Sequence, residues 1–362
     1  LVENVQILSG DLVSNGDFSQ EGVQEVSNGS FSQEGAEQVT NGDFATDSGW
    51  TKGAGWSISG GTANALSVGS GQSLSQGTSI VASKIYRVDY TVSNFVEGGV
   101  YVRVGNSGTG TIRQENGTYT EYITQSGNTT IYFTAYSGST TLKIDNVSVK
   151  EVGQDWNLGT AWSIGEDKVI ASGVASNLSQ IILTSGVSYK LTYEVLTSNN
   201  NTLLGYFGGN TSISIPSTIG THTVYGLSDG LYFLIRNGGF DGSITNISVK
   251  EVGQDWNVTG SDANNYVEFG DGTARLKFLN TSPLTQFSSS TGIYQGGKKY
   301  KLIVDIADAT SGSIKVDAAG VSETFTTAGI STRIINPTGN SAVTFYRATA
   351  NVDITLNSVS LI

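Results

Sequence analysis

The twelve residues Asn146–Asn157, NVSVKEVGQDWN, return at Asn246–Asn257 as NISVKEVGQDWN, shifted by 100 positions and altered only where Val147 becomes Ile247. A match of this length at a fixed offset is an internal repeat, and it constrains the fold before any local propensity does. The string passes from an alternating apolar segment, Val147-Ser148-Val149, through Val152 into a Gly-Gln-Asp-Trp turn. It therefore reads as the last strand of one module joined to the opening of the next. Only the residues GQD separate Val152 or Val252 from the following Trp, so stiff joints are expected rather than flexible linkers.

A second, shorter repeat precedes the first. LVSNGDFSQEGVQ (Leu12–Gln24), EVSNGSFSQEGAE (Glu25–Glu37) and QVTNGDFATDSGW (Gln38–Trp50) are each 13 residues long. Val13, Val26 and Val39 correspond, as do Asn15, Asn28 and Asn41 and then Phe18, Phe31 and Phe44. Asn-Gly is a strong turn signal because both residues tolerate φ > 0. Each copy is expected to form a short strand, a turn and a Phe that needs burial.

The remaining sequence alternates with period two. Ile85–Ser93 (IYRVDYTVS), Ser188–Leu196 (SYKLTYEVL) and Lys299–Ala307 (KYKLIVDIA) occupy matching places, and Gly or Asn-Gly turns separate the short runs around them. No helical i, i+3, i+4 pattern of any length is present. Charged residues make up only 14%, and β-branched and hydroxyl residues are frequent, which suits stacked sheets. The expected fold is all-β: three tandem antiparallel β-sandwich modules, jelly-roll-like, at residues 38–152, 153–252 and 253–362, behind an N-terminal repeat segment at 1–37.

The order VTNGDF…W, then YRVDYTV, then IDNVSV resembles the jelly-roll carbohydrate-binding modules attached to xylanases and cellulases. Modules joined by SVKEVGQDW are also similar to those strung along tail-fibre and other virion structural proteins of aquatic bacteriophages. The resemblance covers residues 38–362. It implies an extracellular or virion-surface location and a structural calcium tying the first strand of a module to its last. Asp43 and Asp145 occupy those places, and hard oxygen ligands suit Ca²⁺. Thr245 and Asn357 stand at the later last-strand positions, which confines such a site to the first module.

Composition excludes several functions. The net charge is −12 and the few Lys and Arg are scattered, so no basic stripe exists to neutralise phosphates and no nucleic-acid partner is expected. No run approaches 18 consecutive apolar residues, so membrane insertion is not expected. Cys and Met are absent, and the chain begins at Leu1. It is therefore expected to be processed or to belong to something longer. His222 is the only His, sits in the alternating strand THTVY, and cannot build a triad or a His metal site alone. Gly105–Gly110 (GNSGTG) lies between strands with no helix behind it to cradle a phosphate. The acids do not recur at matching module positions, as a glycosidase pair in each module would. No catalysis is expected.

Aromatic residues are the remaining binding chemistry. Trp50, Trp156 and Trp256 recur, as do Trp56 and Trp162 with Tyr266 in their place in the third module. Recurring aromatics beside alternating strands are expected to anchor cores. Tyr101, Tyr132 and Tyr136 do not repeat in that reading and are the ligand candidates, because a binding surface is free to differ and aromatic faces stack on sugars. Asn28, Asn116, Asn128, Asn146, Asn177, Asn200, Asn210, Asn246, Asn257 and Asn280 sit in N-x-S/T sequons. The expected role is a non-enzymatic, self-assembling subunit of a fibre, filament or tail appendage, with a secreted array binding cell-surface glycans as the alternative and a glycan-cleaving virion protein third. Val152 and Val252 lie only four residues before Trp156 and Trp256, so the second and third modules lack a VTNGDF segment of their own. Val13–Phe18 and Val26–Phe31 are two spare copies. Val13, Phe18, Val26 and Phe31 are therefore expected to complete sheets in a neighbouring subunit.

Overall fold

The computed structural model describes residues 10–210, 212–262, 264–279, 285–290 and 292–362. The expectations for residues 1–9 and for the sequon at Asn280 lie outside the described residues. Among the described residues all regular structure is β, arranged in six sheets whose strands pair antiparallel. The buried apolar side chains gather into three cores, each shared by one long and one short sheet.

Around the first core the long sheet runs Trp56–Ser59, Thr62–Val68, Thr140–Val152, Ile85–Glu97, Gly117–Thr124. The facing short sheet runs Thr51–Lys52, Ser73–Gly77, Thr130–Ala135, Val100–Val104, Gly108–Thr109. Numbered in chain order from Thr62–Val68 to Thr140–Val152, the eight principal strands lie in the orders 1-8-3-6 and 2-7-4-5. That is the jelly roll, and it separates this fold from an immunoglobulin-like order. The second core repeats it, with Trp162–Gly165, Lys168–Ser172, Asp241–Val252, Ser188–Ser198 and Gly220–Leu227 as the long sheet. The third does so with Asn265–Gly270, Thr273–Phe278, Val352–Leu361, Tyr300–Ser311 and Gly329–Ile335.

Period-two patterning places these strands. In Ile85–Glu97 the residues Tyr86, Val88, Tyr90 and Val92 are buried and Arg87, Asp89 and Thr91 face outward. A slip of one residue would reverse the faces, and such a slip corrects one expectation. Trp56 pairs with Ala65 two residues before Ile58, and Val267 pairs with Leu276 two residues before Phe269. Val267, buried, thus stands where Trp56 and Trp162 stand, and Tyr266 lies on the outer face. The joints are shared rather than divided. Ile85 and Val152 pack in the second core and Val252 packs in the third.

The VTNGDF segments are not strands. Asn15, Asn28 and Asn41 have φ of 47, 49 and 52°, and Phe18, Phe31 and Phe44 have φ of 56, 58 and 49°. Two left-handed residues three apart fold the segment into a tight turn, closed by the Phe N–H donating to the Asn carbonyl at 3.1, 3.1 and 3.2 Å. The strands of this region are instead Glu21–Gln24 and Glu34–Glu37.

Candidate functional site

The three N-terminal turns dock on the three cores in reverse order. Val13 and Phe18 belong to the third core, Val26 and Phe31 to the second, Val39 and Phe44 to the first. The sequence pattern led us to expect Val13, Phe18, Val26 and Phe31 to fill a neighbour's sheets; they fill two incomplete sandwiches of their own chain. Each Phe is 1% exposed. Phe18 packs on Trp256 at 5.3 Å between ring centroids, Phe31 on Trp156 at 5.3 Å and Phe44 on Trp50 at 5.5 Å.

Polar contacts repeat just as closely. The indole N–H of Trp256, Trp156 and Trp50 donates to the carbonyl of Asn15, Asn28 and Asn41 at 2.9, 3.0 and 3.1 Å. The Asn15 and Asn28 side chains donate in turn to the carbonyls of Gln254 and Gln154 in the GQD joints. The glycine after each Asn has an ordinary φ; its requirement is room. A Cβ on Gly16, Gly29 or Gly42 would lie 2.2, 1.9 or 2.0 Å from the carbonyl oxygen of Val359, Ile247 or Val147. Those same residues donate their N–H to Gly16, Gly29 and Gly42. The repeated NVSV and NISV strings are thus docking rails as well as last strands.

Between turns, the segment stitches adjacent sandwiches. Glu21–Gln24 pairs with Asp241–Val252 of the second sandwich while Phe18 sits in the third; Glu34–Glu37 pairs with Thr140–Val152 of the first while Phe31 sits in the second. Glu21 bridges Lys190 and Lys250 at 2.7 and 3.0 Å, and Glu34 bridges Lys150 and Arg87 at 2.8 and 2.7 Å. The lysines hold both carboxyls below the usual carboxylate value.

Two buried glutamines, for which the sequence offered no repeat signal, clamp two of the turns. Gln76 accepts from the N–H of Thr40 and donates to its carbonyl, and Gln180 does the same with Ser27. The corresponding residue of the third sandwich is Ser289, whose hydroxyl bonds Ser290 and Val343 instead.

The other expected site residues are placed as follows. Tyr101 and Tyr132 lie on the outer face of the first short sheet, on adjacent strands; Arg103 stacks over the Tyr132 ring at 4.5 Å. Tyr136 lies just past the strand end, exposed. Register matches Gln76 with Gln180, hence Ile131 with Phe233 and Phe133 with Ile235, so Leu234 and Leu204 stand where Tyr132 and Tyr101 do. Tyr206 and Tyr232 face outward on the second short sheet at other positions. The Asp43 carboxylate accepts from the N–H of Ala45 and the Asp145 carboxylate from that of Asn146. Among the described residues no three His, Cys, Asp or Glu side chains are grouped to hold a metal.

The titratable groups that might have suggested catalysis are engaged in structure. Buried Glu121 accepts from Tyr90, the Thr111 N–H and Arg113 at 2.6, 2.6 and 3.1 Å, and burial with this carboxylate raises the Tyr90 phenol. His222 is half-buried, packs tilted against the Tyr193 ring at 5.5 Å and meets the Thr218 carbonyl at 2.6 Å.

No family model matches the chain, and no curated protein matches it. Solved structures similar to it include the tandem CBM22-1-CBM22-2 domains of Paenibacillus barcinonensis Xyn10C, at 9% identity and TM-score 0.21, covering 57% of this chain and 93% of that one. Sulfolobus Turreted Icosahedral Virus supplies a second, at 13% identity and TM-score 0.23, covering 87% and 89%. Allantoicase from Saccharomyces cerevisiae is a third, at 9% and 0.21, covering 52% and 80%. At TM-scores this low none of them bears on what this chain binds or builds.

Proposed function

We propose that the chain is a non-catalytic structural protein, a stiff subunit of an extracellular or virion-borne fibre, filament or tail appendage. The observation that carries this reading is the reverse-order docking of the N-terminal repeats. That segment closes three cores and ties each sandwich to the one before. Such an arrangement serves mechanical continuity. The reading requires no cofactor, calcium at Asp43 and Asp145 included, and its partner is a second copy of the chain. Electron microscopy of the purified protein tests it. Rods or fibres are expected; discrete particles with hinged sandwiches, or cleavage of a polysaccharide by the purified chain, would overturn it.

A second reading, an array binding cell-surface glycans, rests on the outward tyrosine pairs Tyr101/Tyr132 and Tyr206/Tyr232. A glycan array tests it. Binding lost in the Tyr132→Ala/Tyr232→Ala variant would favour it, and an empty array would remove it.

A further inference from the structure

The joint between sandwiches occurs twice, and among the described residues the first and third sandwiches each display one unmatched half of it. At the first joint the outer face of the edge strand Gly117–Thr124 receives the hairpin turn of the next sandwich. Tyr122, Thr120 and Arg87 border one 700 Å³ cavity with Gly165, Glu166, Asp167 and Ile170. At the second joint, Tyr225 and Lys190 from the matching strands face Gly270, Asp271 and Gly272 across a 240 Å³ cavity. Register fixes the equivalence: Tyr122 pairs with Arg87, Tyr225 with Lys190, and in the third sandwich Ile334 pairs with Lys301.

Among the described residues no hairpin covers this face of the third sandwich. Its edge strand Gly329–Ile335 presents Ile330 and Ile334, 73% and 65% exposed, with Thr332 between them and Ile303 alongside. The corresponding residues of the first sandwich are Thr118, Tyr122, Thr120 and Asp89, and those of the second are Thr221, Tyr225, Thr223 and Thr192. The face thus becomes apolar where it is uncovered. The first sandwich's hairpin, Ser59-Gly60-Gly61-Thr62, seats on no other segment among the described residues. A Cβ on Gly60 or Gly61 would meet no atom within 4 Å. The covered hairpins carry Glu166, Asp167 and Asp271 opposite Arg87 and Lys190; this one carries no charge, which matches an isoleucine strand. Leu66, further along the same face, is 71% exposed.

We propose that the hairpin 59–62 of one copy seats on the Ile330–Ile334 face of a second, reproducing the internal joint between chains. The inference rests on the structural reading above and names its contact. Hairpin and strand face are different surfaces, so the contact is heterologous and repeats into an open filament unless it closes a ring. Isolated exposed isoleucines need no explanation, but two on one edge face with half-buried Ile303 beside them do.

The chain has no Cys, so the test is site-directed disulfide formation. Ser59→Cys protein mixed with Thr332→Cys protein should form a covalent dimer on oxidation. Ser59→Cys mixed with Ser322→Cys, on the other sheet, should not. Sedimentation should show Ile330→Asp/Ile334→Asp associating at least about tenfold more weakly than the parent, since an unpaired charge would have to be buried, with an unchanged melting temperature. No selective cross-link, or filaments that persist in the Asp variant, would overturn this contact while leaving the structural reading in place. Polysaccharide cleavage would overturn that reading whatever the cross-linking shows.

Discussion

The indole N–H of Trp256 donates to the backbone carbonyl of Asn15 at 2.9 Å, although 241 positions separate them. The bond joins the first docked turn to the last core. Its counterparts, Trp156 to Asn28 and Trp50 to Asn41, span 128 and 9 positions. One local geometry therefore serves three very different sequence separations, and each copy can be tested separately.

Removing a docked phenylalanine should damage one core and spare the others. Phe18→Ala should destabilise the third sandwich by about 3–5 kcal/mol, the range for a fully buried Phe. Phe31→Ala should do so in the second. Hydrogen exchange checks this: lost protection should map to Val352–Leu361 for Phe18→Ala and to Asp241–Val252 for Phe31→Ala.

Gly29→Ala should lift the second turn from its rail. The added Cβ would lie 1.9 Å from the Ile247 carbonyl oxygen and 3.0 Å from its carbon, which are backbone atoms with little freedom to move. Loss of Trp156 burial, read as a red shift in fluorescence, is the expected outcome. Gly10→Ala, where nothing lies within 4 Å, should leave the spectrum unchanged.

The stitching ion pairs make docking sensitive to acid. Lys190 with Lys250, and Lys150 with Arg87, depress the carboxyls of Glu21 and Glu34 below 4.5. A depressed folded pKa contributes stability above the unfolded value, and that stability is lost as pH falls through the folded value. Both carboxylates are partly exposed, so each is worth roughly 1 kcal/mol or less. Glu251 is shifted the other way, upward, by burial and then by Glu25. The difference between parent and Glu21→Gln/Glu34→Gln protein isolates the effect: the two melting temperatures should converge as pH drops from 6 to 3.

The first repeat should open before the other two. Gln76 and Gln180 clamp Thr40 and Ser27, and Ser289 provides no such clamp to the first repeat. A buried two-point amide clamp contributes on the order of 1–3 kcal/mol. Amide protons of Leu12–Phe18 should therefore exchange faster than those of Val26–Phe31, and Gln180→Leu should remove the difference.

Chelation should leave the first sandwich as it is. The Asp43 and Asp145 carboxylates already accept from local backbone N–H groups. EDTA is expected to shift no melting transition; a drop confined to the first core would place a calcium ion there.

Strand positions were legible because alternation with period two has one consistent reading wherever a face is buried, as in Ile85–Glu97. The repeats at Asn146 and Asn246 marked the joints. The docked turns were misread as strands because the Asn-Gly signal says only that φ > 0 is tolerated. Here the left-handed residues are Asn and Phe, and glycine is kept for its missing Cβ. The reverse docking order left no local trace: Phe18, Phe31 and Phe44 sit in near-identical words, and only the tertiary structure tells which Trp each one meets.

The pairing of repeats and cores is nested like brackets: those opened first close last. Phe18 is synthesised about 340 residues before Val359 and the last strand complete its receptor, which at roughly 5–20 residues per second is about 17–70 seconds. During that interval its ring has no site in its own chain. A transcript cut short after the second sandwich would leave Phe18 permanently exposed, and one lacking the first repeat would leave Trp256 uncovered. The segment thereby works as a parity check between repeats and sandwiches, since only a product holding all three of each covers Trp50, Trp156 and Trp256.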